Sequence, residues 1–389
     1  MGISHFAGAD LVLAELEVLR EKYNTSMKQA TCARKEEFTE DDLKKKEKLL
    51  DQLRPSLLAV KHEVTQFLAA LGLLHSHEDP TPNFEWTLEV IANIDRFFEK
   101  TIDIIESVTI KAPVPHETHD HRLKRCKYFR SHGLMTDIFC LQVFIFWISL
   151  DCTNFIEAWK LSNLHPYDFT YRSTTTGRGG QVIMKAVECI DLSKAIIRKS
   201  EASDFGILQE EWGKTVAHLD IPLQRLTDLS HRTYNNSKRR APRTRMVKLA
   251  ESTIPLVKLI RTLYNNISNT TTKKMMFTLD TEINSETLSL LYKTPPTIRT
   301  QLENHVDILL ESYEENRMGE SRAEIRDLIN KIARTVESTV VLLALYIIPL
   351  SPKVNRMSLQ SDFKTWLFVW EGLWHTAKNN FLDALASSA

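Results

Sequence analysis

From Ser56 onward the apolar residues Leu57, Leu58, Val60, Val64, Phe67, Leu68 and Leu71 recur at steps of three and four, the period of a helix that buries one face. The same period returns in Leu88, Ile91, Ile94, Phe98, Ile102 and Ile105, with Asn83 placed to cap that segment. Upstream, Thr39-Glu40-Asp41-Asp42 reads as a capping box opening an earlier helix that Pro55 breaks or restarts. Leu11, Leu13, Leu16 and Leu19 among acidic residues predict a first helix. A much more apolar helix is expected from about His121 to Leu164, carrying Phe139, Phe144, Trp147, Phe155 and Trp159. Gly72, the turn at Pro80 and Pro82, and the Pro113 and Pro115 pair punctuate these segments, which together predict an antiparallel bundle.

Beyond Leu164, the stretch Tyr171 to Gly180 (Y-R-S-T-T-T-G-R-G-G) reads as a loop. Helices over Gln181 to Lys199 and Asp204 to His218 follow, and the polar, basic stretch His231 to Arg245 reads as a linker between halves. The second half is expected to hold a helix over Met246 to Ile267, an irregular connection through Pro295 and Pro296, and helices over Thr297 to Asn316 and Glu320 to Ile348. The last of these runs from amphipathic to almost wholly apolar with neither glycine nor proline before Pro349, so it can satisfy its apolar face only inside a bundle. A final helix from Ser361 carries Phe363, Trp366, Leu367, Trp370, Leu373, Trp374 and Phe381. No repeat of fixed period is found, which argues against a solenoid. The expected fold class is all-α: two packed antiparallel helical bundles with long helices, residues 1–230 and 246–389, joined by a basic linker, 231–245.

Composition agrees with this class. The 389 residues are 43% hydrophobic, enough for two cores of ordinary domain size, and 11 glycines with 13 prolines disfavour sandwiches, barrels and glycine-rich phosphate loops. Lysine plus arginine and aspartate plus glutamate balance at 50 each, so no global field draws the chain to nucleic acid or an anionic membrane. The N-terminus lacks the pattern of a signal peptide, and Phe6 stands where a myristoylation motif requires Ser or Thr. The longest apolar run, Ile138 to Leu150, is short of the roughly 20 residues that span a bilayer and is expected to be a core helix. Cys32, Cys126, Cys140, Cys152 and Cys189 are odd in number and lack C-x-x-C spacing, which suits a reducing compartment. The Asn-x-Ser/Thr triplets beginning at Asn24, Asn235, Asn266 and Asn269 then carry no glycosylation meaning.

Four features could carry chemistry or recognition. His116-Glu117-Thr118-His119-Asp120-His121 is dense in metal ligands, and an adjacent His-Asp pair serves helical metal-dependent phosphohydrolases; such a site needs further ligands from other helices, and this cluster follows two prolines. His121-Arg122-Leu123-Lys124 has a histidine and lysine like those of a phosphotransfer bundle, but Arg125 and Cys126 replace the small residues that give access. Lys238, Arg239, Arg240, Arg243 and Arg245 could be a nuclear-import signal or a phosphate-binding arm, since clustered guanidinium groups bind acidic surfaces, beside the plainer reading of a solvated loop; without an aromatic platform beyond Tyr234, specific nucleic-acid binding is not expected. Trp366, Trp370 and Trp374 share one helix face and could anchor a partner helix, although such a stripe more often fills a core. Phosphate-loop, Rossmann, serine-nucleophile, di-iron Glu-x-x-His and H-E-x-x-H patterns are absent: Gly177-Arg178-Gly179-Gly180 lacks the lysine, and His62-Glu63 lacks a second histidine. No cofactor or metal site is expected.

Several segments together resemble the cyclin-D-binding protein family, also called the Grap-and-cyclin-D-interacting proteins. Val60 to Leu71 (V-K-H-E-V-T-Q-F-L-A-A-L) is similar to that family's helix with a Glu-x-Thr core, and Phe84 to Val108 to its next helix. Leu208 to Trp212 (L-Q-E-E-W) resembles its acidic helix ending in tryptophan, and Ile332 to Pro349 its late helix leading to a proline. Where the family has an Asp pair in that helix, this chain has Val341 and Leu342; Ile348 and Leu350 replace a tyrosine and a second proline, and the arginine-rich stretch replaces an acidic one. The resemblance implies a two-part α-helical protein of cytoplasm and nucleus, without enzymatic activity, that binds other proteins such as cyclin-like or transcription regulators. Two other classes compete with this adaptor reading: a metal-dependent phosphohydrolase using His116 to His121, and a cytoskeletal or membrane-peripheral bundle of the vinculin kind.

Overall fold

The computed structural model describes residues 3–24, 39–74, 80–109, 119–232, 240–268, 276–280, 282–316, 321–350 and 356–387. It is an all-α fold of long helices in two compact units, residues 1–202 and 203–389.

The first unit holds α1 (Ile3–Tyr23), α2 (Glu40–Asp51), α3 (Leu53–Ala70), α4 (Phe84–Val108), α5 (Tyr128–Leu164) and α6 (Phe169–Glu201). Five of these close a ring in the order α1, α5, α6, α3, α4, with α2 laid against α4. The stripes read from the sequence face its interior: Leu57, Val60, Val64 and Phe67 of α3 meet Ile91, Ile94, Phe98 and Ile105 of α4 in one core. The helix ends follow their caps. Thr39 Oγ1 accepts the Asp42 amide while Asp42 Oδ2 accepts the Thr39 amide, each at 3.2 Å, the reciprocal pair of a capping box. Asn83 Oδ1 accepts the Trp86 amide at 3.1 Å to open α4. At the end of α3, Gly72 adopts φ +71°, and the bonds Leu73 N–H to Leu68 O and Gly72 N–H to Ala69 O form a Schellman motif. Two polar ties fix α1: the Tyr23 hydroxyl donates to Asp95 Oδ1 at 2.7 Å, and Gln142 Nε2 donates to the Tyr23 carbonyl at 3.2 Å.

The second unit holds α7 (Asp204–His218), α8 (Asp220–Ser230), α9 (Arg240–Ser268), β1 (Met276–Leu279), α10 (Ser285–Glu315), α11 (Ser321–Tyr346), β2 (Ile347–Leu350) and α12 (Arg356–Ala386). Helices α9, α10, α11 and α12 form a four-helix ring, each against the next, while α7 packs on α9 and α10 and α8 chiefly on α9. Strand β1 pairs antiparallel with β2 in the register Met276 to Leu350 and Leu279 to Ile347.

Four expectations about local structure are corrected. Tyr171 to Gly180 is helix, part of α6: Asp168 Oδ1 caps it by accepting the Thr170 amide at 2.8 Å. The hydroxyls of Thr174, Thr175 and Thr176 bond back to carbonyls four residues earlier. Gly179 serves packing rather than a turn, since a Cβ there would lie 2.9 Å from Leu73 Cδ2. Pro295 and Pro296 lie inside α10, which begins at Ser285, and not in an irregular connection. The late helix ends at Tyr346 rather than Ile348; the β-branched pair Ile347 and Ile348 before Pro349 leaves the helical region and joins a strand. Finally, the long apolar helix starts at Tyr128, because Asp120–Cys126 is a 3-10 turn kinked at Lys124, φ +49°.

The boundary between units lies at Ala202 and Ser203, upstream of the basic segment at which the sequence reading divides the chain. Ala202 is extended, Ser203 Oγ caps α7 by accepting the Gly206 amide at 3.0 Å, and the buried face of α7 (Phe205, Leu208, Trp212) packs into the second unit. The basic segment is no linker along its whole length, since α9 begins at Arg240.

Candidate functional site

Among the described residues, those singled out for partner binding do not come together on a surface. Lys238 and Arg239 lie outside the described residues, as does the side chain of Arg240. Arg243 is drawn to the C-terminus of α10: its Nε donates to the Tyr313 carbonyl at 3.0 Å, and its guanidinium lies 5.3 Å from the Tyr313 ring centroid. It caps a helix instead of presenting a free cation, and Arg245 is half-buried on the first turns of α9. On α12, Trp370 and Trp374 are 3% and 1% exposed, with stacked rings, and Trp370 Nε1 donates to the Leu259 carbonyl at 2.9 Å. Trp366 is half-buried and stacks on Phe363 at 5.9 Å. The tryptophan face is therefore the inner face of α12, and an anchor reading for Trp370 and Trp374 is corrected to a core role: indoles at i and i+4 supply the apolar area that holds α12 on α9.

The opposite face of α12 is the unusual one. Thr365, Phe368, Val369, Gly372, Leu373 and Thr376 are all exposed and none carries a charge. Phe368 stands 76% open to solvent. Thr376 Oγ1 donates to the Gly372 carbonyl at 2.9 Å, which spends its hydroxyl on the helix's own backbone. A Cβ built on Gly372 would meet nothing within 4 Å, so the internal packing of this unit does not ask for glycine there. On α11, Val341 and Leu345 are exposed one turn apart, continuing the stripe of Glu337. Lys378 Nζ pairs with Glu337 Oε1 at 2.9 Å and His375 Nδ1 lies 3.8 Å from it, which fixes the register of the two helices. In that antiparallel register Val341 and Leu345 adjoin the Phe368 edge of α12. The result is an apolar face on the α11–α12 pair bordered by Glu337, Glu371, His375 and Lys378. A helix's solvent side normally carries charge at most positions, so a charge-free face of this extent is the mark of a contact surface. The sequence reading missed it; the signal on offer was the run of uncharged positions opposite the tryptophan stripe.

The first unit has a second apolar exposure, at the turn from α5 to α6. Leu164, Tyr167 and Phe169 project there, with Tyr167 fully open and Phe169 81% exposed. The region Asp120–Leu164 is also long and apolar enough to cross a membrane, a test that core helices of soluble proteins pass as well; 33% of its most apolar window is buried. Its apolar continuity is longer than the Ile138 to Leu150 run alone suggests.

Among the described residues, several groups with reactive chemistry are held in structural positions. Asp120 is buried and its Oδ2 accepts the Tyr128 amide at 2.9 Å, capping α5, while His119 is exposed; His116, Glu117 and Thr118 lie outside the described residues. Among the described residues no three His, Cys, Asp or Glu side chains gather to hold a metal. Burial pushes the Cys126 thiol up to about 11 and Cys189 to about 12, and raises Cys152 further, so these remain protonated and weakly nucleophilic at neutral pH. Cys140 alone among the described cysteines is exposed. His305 is buried in the four-helix ring, with Nε2 3.2 Å from Thr253 Oγ1 and its ring edge-on to Phe381; desolvation pushes its pKa down to about 4, which keeps it neutral.

Residues 203–383 match a family model described as a domain of unknown function (DUF8721), and residues 46–201 match a second described in the same words (DUF8723). The seam between the two matches coincides with the boundary between the two compact units. No curated protein and no solved structure matches the chain.

Proposed function

We propose that this chain is a non-enzymatic adaptor or regulator that acts by binding protein through helix surfaces. The observation that carries the reading is the charge-free outer face of α12, continued by Val341 and Leu345 of α11. Burying Phe368 and its neighbours against a partner recovers roughly 25 cal/mol for each Å² taken from water. The capped Asp120 and the protonated buried thiols favour a binding role over a catalytic one. The resemblance to cyclin-D-binding proteins supports the same reading and suggests cyclin-like or transcription regulators, met in cytoplasm and nucleus, as partners.

The test is site-specific photocrosslinking in the native cells, with a benzophenone amino acid at position 368 and, as control, at the exposed position Lys258 of α9, off this face. Crosslinks to protein at 368 and none at 258 are the expected result. Absence of crosslinks at 368, with metal near one equivalent in the purified protein, would turn attention to the His116 to His121 segment and a hydrolase.

A further inference from the structure

We infer that the outer face of α12 pairs with the same face of a second copy of this chain, an inference that rests on the protein-binding reading and names the partner. Three observations carry it. The first is area: Val341, Leu345, Phe368, Val369 and Leu373 are each more than half exposed. Together they leave roughly 500 Å² of apolar surface, so two copies bury about 1,000 Å², the lower bound for a specific interface.

The second is Gly372. An exposed glycine within a helix costs about 1 kcal/mol relative to alanine, and no contact among the described residues explains it, since its Cβ direction is open. At the centre of an apolar face it allows two helix backbones to approach closely.

The third is the order of residues about that centre. In an antiparallel, two-fold crossing at Gly372, Phe368 of one copy comes to the level of Thr376 of the other, whose hydroxyl is already turned to its own backbone. Lys364 comes to the level of Asn380, with Asp383 one turn beyond, so this lysine meets an amide and an acid. A parallel crossing would set Lys364 against Lys364. An isologous contact of this kind closes after two copies.

Sedimentation equilibrium of the full-length protein tests the pairing. A reversible dimer is expected, weakened roughly tenfold or more by Phe368→Ser and by Gly372→Leu. Leucine is a better helix former than glycine, so Gly372→Leu should keep or raise the thermal midpoint while weakening self-association. A merely structural role would lower both or neither. A dimer untouched by either variant, or a monomer up to about 100 µM, overturns the inference. The crosslinker at position 368 then separates the two readings: if it captures a different protein, protein binding through this face stands without the dimer, and if it captures none, both fall.

Discussion

The indole Nε1–H of Trp212 donates to the carbonyl of Leu291 at 3.0 Å, both groups buried in the second unit. Leu291 lies four residues before Pro295, which has no N–H to offer, so the carbonyl that a helix normally satisfies within itself is left free and α7 satisfies it instead. This bond offsets the donor lost at Pro295 and ties α7 to α10 within the second unit. Trp212→Phe should destabilise that unit by about 1 to 3 kcal/mol, the cost of an unsatisfied buried carbonyl plus lost packing. Pro295→Ala supplies an N–H to the same carbonyl, so Trp212→Phe should cost less in that background. Urea unfolding of the four proteins of the cycle measures the coupling; strict additivity would refute the account.

His305 makes the second unit acid-sensitive. Its pKa is pushed down from 6.5 to about 4 by burial, so the native state holds it neutral while the unfolded chain takes up a proton near pH 6.5. Its contribution is complete above about pH 6.5 and is lost as pH falls toward 4, on the order of 1 kcal/mol for each pH unit. His305→Gln should flatten the acid side of a plot of thermal midpoint against pH. Parallel slopes in wild type and variant would show that His305 is protonated within the fold.

Gly72 is the glycine whose conformation the chain cannot replace cheaply. At φ +71°, with a Cβ position 2.8 Å from the Thr81 backbone nitrogen, Gly72→Ala should cost about 1 to 2 kcal/mol from the left-handed backbone alone. Differential scanning calorimetry would register this as a lowered midpoint, and an unchanged one would mean the turn closes differently.

Leu343 is fully buried on the inner face of α11. Leu343→Asp places an unpaired carboxylate among apolar neighbours and should unfold the second unit, at a cost of about 4 kcal/mol or more. A thermal melt indistinguishable from wild type would show that the inner face of α11 is misassigned.

Local signals were read well where the chain decides its own conformation. The capping box at Thr39 and Asp42, the Asn83 cap, the terminating Gly72 and the stripes of α3 and α4 need only neighbours within one or two turns. Readings failed where a residue answers to a distant one. Gly179 looks like a loop glycine until Leu73 is seen against it, and Pro295 looks like a helix break until Trp212 is seen to take the freed carbonyl. The direction of the tryptophans was also hidden: a stripe defines a face, and only the neighbouring α9 says whether that face is inside.

By itself the sequence determined the class, the long helices and most of their ends, because helix period and caps are short-range properties of the backbone and its nearest side chains. The tertiary structure alone decided the boundary at Ala202, the helical state of residues 171–180, and which side of α12 meets solvent. Those outcomes depend on burying one apolar surface against another far away in sequence, and that pairing is chosen by packing, which no local pattern encodes.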